Sequence, residues 1–194
     1  MKSITFVVLT FWAAACAKQS YFVPPTIVSF EAAAALPKFD TKLHQHTAAL
    51  GKKYPKRTVQ IGYIYTHAAH ALAVQHEYGV PAELTLAVSI FETGFGQSTI
   101  ATRAANFFNI KKGDGWDGAV YIDGRGVKWR QYRDMQHSFD DFGRFILKRV
   151  PHLLANPTPE AFAATGYAGQ QGKKQYAAAL HSIIQAYELV ELFK

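Results

Sequence analysis

The sequence predicts a mainly α-helical domain carrying one small β-hairpin. Three observations lead there. Apolar residues recur at helical spacing over residues 59–78, 139–150 and 174–193. Only one place, around Asp123-Gly-Arg-Gly126, reads as two short strands joined by a tight turn. Proline and glycine cut the remainder into helix-sized pieces. With 194 residues, 49% hydrophobic and 18% charged, the chain has material for a single core plus a tail.

Taken in order, residues 1–17 read as an export signal. Lys2 is basic, and residues 4–15 form an apolar run too short to span a bilayer. Ala13-Ala-Ala-Cys16 resembles a bacterial lipobox, which makes Cys16 the candidate lipidation site; Ala15-Cys-Ala17 offers plain signal cleavage instead. Cys16 is the only cysteine, so no intrachain disulfide can form and the redox compartment is not indicated. Residues 18–57 are expected to be a tether, broken by Pro24-Pro25, Pro37 and Pro55, with one short helix at 31–36.

Residues 58–194 form the expected folded domain. Its first helix, 59–78, presents Ile61, Ile64, Ala68 and Leu72 and stops at Gly79-Val-Pro81. Pro81 suits the start of the next helix, and residues 82–91 are apolar with few charges. Gly94 and Gly96 end it, which leaves Glu92 in its last turn. The helix dipole and the neighbours Ile90, Phe91 and Phe95 both favour a protonated carboxyl there. That is how a carboxyl becomes a general acid near neutral pH; the alternative from spacing alone is an exposed glutamate at a frayed helix end.

Ser98 is expected to cap a short helix over 98–105. Residues 111–115 make a turn, and strands at 120–122 and 127–132 form the hairpin. Ser138 is expected to cap a helix over 139–150, in which Phe139, Phe142 and Ile146 repeat at helical spacing. A short helix follows at 159–164. One amphipathic helix over 174–193, with Tyr176, Leu180, Ile183 and Tyr187 on its apolar face, closes the chain.

Glu92-Thr-Gly-Phe-Gly-Gln-Ser98, followed by Ala105-Asn-Phe-Phe-Asn-Ile-Lys111, resembles two blocks of the glucosaminidase family of peptidoglycan hydrolases, glycoside hydrolase family 73. The family shows Glu-Ser-Gly-Trp-Gly-x-Ser and then Asn-Asn-x-Phe-Gly-Ile-Lys. Phe95 stands where Trp is usual, and Ala105 and Asn109 replace the common Asn and Gly. Trp116-Asp-Gly118, Trp129-Arg-Gln-Tyr-Arg133 and Gly166-Tyr-Ala168 with Tyr176-Ala177 resemble later landmarks in the same order, so the likeness spans residues 59–189.

The resemblance implies a lysozyme-like α+β fold, with hairpin and helices facing across a sugar groove. It implies an endo-β-N-acetylglucosaminidase acting on peptidoglycan glycan strands, with Glu92 as the acid. A lytic transglycosylase of the same fold, or an inactive peptidoglycan-binding lipoprotein, is the alternative. Asp123 is the candidate second carboxylate, although Asp-Gly also simply makes a good turn. Asp114 and Asp117 are also available, and the substrate's own N-acetyl group is the alternative nucleophile. Tyr167 matches a tyrosine near the family's acid, and a core role is the alternative. Phe95, Phe107 and Trp116 are expected to line the groove, with Asn106 and Lys111 fixing the loop beside Glu92.

No cofactor or metal is expected. His67 and His70 are three apart, but no His-Glu-x-x-His pattern is present. The net charge of +7 suits an anionic partner. For an exported chain that means the cell envelope, with a membrane reached through the lipid anchor, rather than nucleic acid. The expected state is a monomer.

Overall fold

The computed structural model describes residues 30–194 apart from 168, 170 and 171. The expected signal segment and Cys16 lie outside the described residues. Eight α-helices are present among those described: α1 Phe30–Lys53, α2 Thr58–Tyr78, α3 Ala82–Thr93, α4 Thr99–Ala104, α5 Met135–Arg149, α6 Pro159–Ala164, α7 Lys173–Ala186 and α8 Leu189–Phe193. Strands β1 Val120–Ile122 and β2 Lys128–Arg130 sit between α4 and α5. The fold is mainly helical with one antiparallel hairpin.

Helix α3 is the axis of the molecule. Its sequence is mostly apolar, and Ala82, Leu84, Leu86, Ala87, Val88 and Ile90 are all buried. A helix with so wide an apolar surface is covered on most sides. Helices α2, α7 and α8 pack against it. Each fully buried Leu, Ile or Val contributes about 1.5–3 kcal/mol relative to exposure. Two of the polar side chains inside this core bond to each other and to the backbone: Tyr63 donates to Ser89 at 3.1 Å, and Ser89 donates to the Leu86 carbonyl at 2.9 Å.

The hairpin pairs Val120 with Arg130, Tyr121 with Trp129 and Ile122 with Lys128. Ile110 and Lys112 extend it, since Arg130 N–H donates to the Ile110 carbonyl and Lys112 N–H to the Lys128 carbonyl. The loop between α4 and β1 is thereby tied to β2. Gly118 is required where it stands: a Cβ there would come within 2.5 Å of the Trp116 ring.

Four local expectations differ from what is found. The segment expected as a tether is helical from 30 to 53, and it buries Phe39, Leu43 and Leu50. Phe39 stacks on Phe193 at 5.8 Å, and Lys53 pairs with Glu188 at 2.5 Å, so α1 is packed onto the end of the chain. Helix α5 begins earlier than expected and is capped by Asp134, whose side chain accepts from His137 N–H. Ser138 is inside that helix; its hydroxyl accepts from Phe107 N–H at 3.0 Å. The closing helix is two helices, because Glu188 adopts φ +50 between them. Apolar spacing continues through that break, and spacing alone does not register it. The Ser98 cap of α4, α6 and the hairpin turn are where the sequence placed them.

No helix among the described residues is long and apolar enough to cross a membrane.

Candidate active site

The site is built at the end of α3. Glu92 lies in its last turn, followed by Gly94, Phe95 and Gly96, all with positive φ (+56, +60 and +75). Glycine adopts this region freely, whereas Phe95 does so at a cost of about 1–2 kcal/mol. Ring contacts hold Phe95 in place, edge-on to Tyr63 at 5.9 Å and to Tyr187 at 5.5 Å. Buried Thr93 locks the turn: its hydroxyl donates to the Ser89 carbonyl at 2.6 Å and accepts from Gly96 N–H at 2.8 Å. At Gly96 a Cβ would meet the Tyr63 ring at 3.0 Å.

Two side chains from distant segments meet the Glu92 carboxyl. Tyr176, on α7, donates from its hydroxyl to Oε1 at 2.9 Å. Asn109 donates from Nδ2 to Oε2 at 3.0 Å and to the Glu92 backbone carbonyl at 2.7 Å. Burial raises the Glu92 pKa above the usual carboxylate value, while the bonds from Tyr176 and Asn109 oppose the rise. Burial prevails because the end of the apolar α3 offers little water to the anion. Each carboxyl oxygen has one lone pair engaged by a donor, and one is left for a proton.

The loop over 105–110 is rigid. Asn106 is fully buried; its amide donates to the carbonyls of Ile110 and Arg130 at 2.9 and 2.8 Å, and its Oδ1 accepts from Ile110 N–H at 3.1 Å. Phe108 stacks on Phe142 at 4.0 Å. Phe107 packs on His67 and Phe139. Tyr167 donates its hydroxyl to the Phe108 carbonyl and is ringed by Phe142, Phe145 and Phe162. Its contact with the site is therefore indirect: it anchors the backbone one residue before Asn109.

Asp123 anchors the hairpin turn. One carboxylate oxygen accepts from the backbone N–H groups of Arg125 and Val127 at 2.9 and 3.0 Å. The other accepts from Trp129 Nε1 and the Arg125 guanidinium, both at 3.1 Å. Burial alone would raise its pKa, but the bonds from Trp129, Val127 and Arg125 outweigh that and hold it at about 2. Asp123 is thus a fixed anion with both oxygens engaged.

Trp116 is half-buried at the hairpin edge. Its Nε1 donates to the Ala119 carbonyl at 2.9 Å, and the Arg130 guanidinium lies 4.8 Å from its ring. Arg130 is paired with Asp141 at 2.7 Å, and Tyr132 donates to the same oxygen at 2.6 Å. Lys111 is exposed, bridges to Trp129 through its backbone and lies 6.0 Å above that ring.

Of the residues singled out from sequence, Glu92 stands at the centre. Asn106 and Phe107 support the loop from inside, Phe95 supports the turn, and Trp116, Lys111 and Asp123 belong to the hairpin side. The reading missed three residues. Tyr176 was assigned to an apolar helix face, Asn109 was noted only as a departure from glycine, and Phe91 was taken as a mere neighbour. Phe91 is 43% exposed beside Glu92 and sits edge-on to Tyr176 at 4.7 Å. Among the described residues no cluster of three His, Cys, Asp or Glu could hold a metal ion.

Comparison with known proteins shows the family to which the chain is similar. Residues 68–189 match the profile of the glucosaminidase family, described as mannosyl-glycoprotein endo-beta-N-acetylglucosaminidase. The peptidoglycan hydrolase FlgJ of Pseudomonas aeruginosa is 29% identical over 150 residues, which is 66% of this chain and 38% of that protein. The exo-glucosaminidase LytG of Bacillus subtilis is 26% identical over 147 residues, 66% of this chain and 52% of that protein. The chain thus spans about half or less of the length of these curated relatives. A peptidoglycan hydrolase mutant from Sphingomonas sp. A1 superposes with a TM-score of 0.55 at 26% identity, covering 68% of this chain and 96% of that one.

Proposed function

Because the chain belongs to the glucosaminidase family, we propose that it is a glycoside hydrolase that cuts the glycan strands of peptidoglycan as an endo-β-N-acetylglucosaminidase. The observation that carries the reading is the buried Glu92 carboxyl, with its pKa raised and both oxygens positioned by neutral donors. A carboxyl that burial makes hold its proton more tightly than usual can hand that proton to the leaving glycosidic oxygen. Tyr176 and Asn109 aim it. Exposed Phe91 supplies an apolar face on which a sugar ring can stack.

The second role in the reaction is to stabilise the cationic sugar and bring in water. Asp123 is an unsuitable base, since a carboxylate held at a pKa of about 2 hardly takes up protons at neutral pH. Its permanent charge can still act electrostatically if the groove brings the sugar near the hairpin. The acetamido group of N-acetylglucosamine is then the internal nucleophile, a route known among glycosidases. Export to the envelope, and a lipid on Cys16, are part of this reading and rest on the sequence alone.

Digestion of purified peptidoglycan followed by mass spectrometry of the fragments tests the proposal. Hydrolysis at N-acetylglucosamine adds one water and creates new reducing N-acetylglucosamine ends. Anhydro-muramic ends would identify a transglycosylase instead. Release of single terminal sugars would identify an exo-acting enzyme, the activity named for the Bacillus relative.

A further inference from the structure

We infer that Asn109 is a positioning residue for the acid, fixing the Glu92 carboxyl against the end of α3 with a single amide nitrogen. The inference rests on the assignment of Glu92 as the acid. It adds a residue that the sequence likeness does not supply, since the matching block has Gly at this place.

The backbone explains why Asn can stand there. Asn109 has φ +50, in the left-handed region that Gly and Asn enter most readily. Asparagine therefore keeps the loop path that glycine would take and adds an amide to it. The Nδ2 group then makes two bonds at once, 2.7 Å to the Glu92 carbonyl and 3.0 Å to Oε2. The carbonyl belongs to the last turn of α3, where helix carbonyls lack an intrahelical partner. Gly96 N–H, four residues on, donates to the Thr93 hydroxyl. One nitrogen thus ties the carboxyl to its own backbone and fixes the side-chain rotamer.

The loop can bear that task because it is itself held. Asn106 binds it from within, Ser138 takes the Phe107 N–H, and Tyr167 takes the Phe108 carbonyl. Asn109 is therefore presented on a rigid support, and Tyr176 holds the opposite oxygen from α7. Positional errors near 1 Å in a reacting group lower turnover by about a hundredfold, so a clamp on an otherwise long side chain matters.

The groups that face Glu92 are Asn109 from the loop, Tyr176 from α7 and, further back, Tyr167 from the segment after α6. None of them is charged near neutral pH. Burial, together with the Glu92 charge, keeps both tyrosine hydroxyls well above the usual phenol range. Loss of the Asn109 donor therefore leaves burial less opposed, and the Glu92 proton is held more tightly.

The test is a carbon-13 NMR titration of the Glu92 side-chain carboxyl in the wild type, in Asn109→Gly and in Asn109→Asp. Glycine suits φ +50 and removes only the amide. Aspartate also tolerates this backbone and places a second carboxylate against the first. The expected result is a Glu92 pKa that rises in Asn109→Gly and rises further in Asn109→Asp. With a glycan substrate, kcat of Asn109→Gly falls about tenfold, KM stays within about twofold, and the alkaline limb moves up with the carboxyl. An unchanged Glu92 pKa in both folded variants overturns the inference. The titration needs no turnover, so it stands apart from the functional reading. A carboxyl that shifts while the alkaline limb stays put would instead overturn Glu92 as the acid.

Discussion

Tyr176 donates a hydrogen bond of 2.9 Å to Glu92 Oε1 across 84 residues of sequence, joining α7 to the end of α3. The pair brings the last third of the chain to the carboxyl that ends its central helix. Tyr176 is 3% exposed, so its hydroxyl has no water to turn to. The contact orients the carboxyl from the side opposite Asn109, and it favours the ionised form against burial.

Tyr176→Phe is therefore expected to raise the Glu92 pKa and to shift the alkaline limb of the rate profile upward. Activity requires the protonated acid and is lost as pH rises through its pKa, so a higher pKa extends activity to higher pH. At the optimum, turnover should fall by about tenfold through looser aim. Stability should fall by about 1 kcal/mol for the lost bond. A pH–rate profile on soluble glycan, with thermal melting alongside, checks all three.

Asp123→Asn should mainly weaken the hairpin. Its Oδ1 can still accept from Arg125 and Val127, but an amide nitrogen would face Trp129 Nε1–H, placing donor against donor. A lower melting temperature is expected, with kcat within about tenfold of the wild type. A loss of about 10²–10⁴-fold in a folded variant would show that the residue works on the reacting sugar. Steady-state kinetics on a soluble fragment decides.

The parts of the fold that local chemistry dictates were legible in the sequence. Pro81 and Gly94 bracket α3, and those two residues alone place Glu92 at a helix end. The turn at Asp123 and the cap at Ser98 are likewise short-range. What was not legible depends on distant partners. Helical spacing assigned Tyr176 to an inward face, but the meeting of its hydroxyl with Glu92 is a tertiary fact. Tyr167 and Tyr176 have the same chemistry nine residues apart, and only packing shows that one holds the Phe108 carbonyl and the other the acid. Asn109 looked like a defect in a glycine position, whereas its side chain is the second hand on Glu92.

Ala105 adopts φ +48, which no feature of an alanine favours. Asn tolerates this region, so Ala105→Asn should raise stability by about 1 kcal/mol. Thermal melting of the variant checks this, with activity retained.

His67 is 6% exposed, stacks on Tyr63 at 3.7 Å and donates from Nδ1 to the Tyr63 carbonyl at 2.8 Å. Its Nε2 is buried without a partner. Burial lowers its pKa from 6.5 to about 4. The folded state thus binds this proton more weakly than the unfolded chain does. Stability is fully present above about pH 6.5 and is lost as pH falls towards 4, by up to about 3 kcal/mol. His67→Phe should flatten the dependence of melting temperature on pH across that window.

Glu92→Gln tests the central claim most directly. Glutamine keeps the shape; its oxygen can still accept from Asn109 and its amide can donate to the Tyr176 oxygen. It also removes the cost of ionising a buried acid, so at neutral pH the variant should melt no lower than the wild type. The measurement is the rate at which new reducing ends appear in purified peptidoglycan treated with the folded variant. The account predicts that the wild type releases them and that Glu92→Gln releases essentially none. Near-wild-type release by a folded Glu92→Gln protein would contradict it.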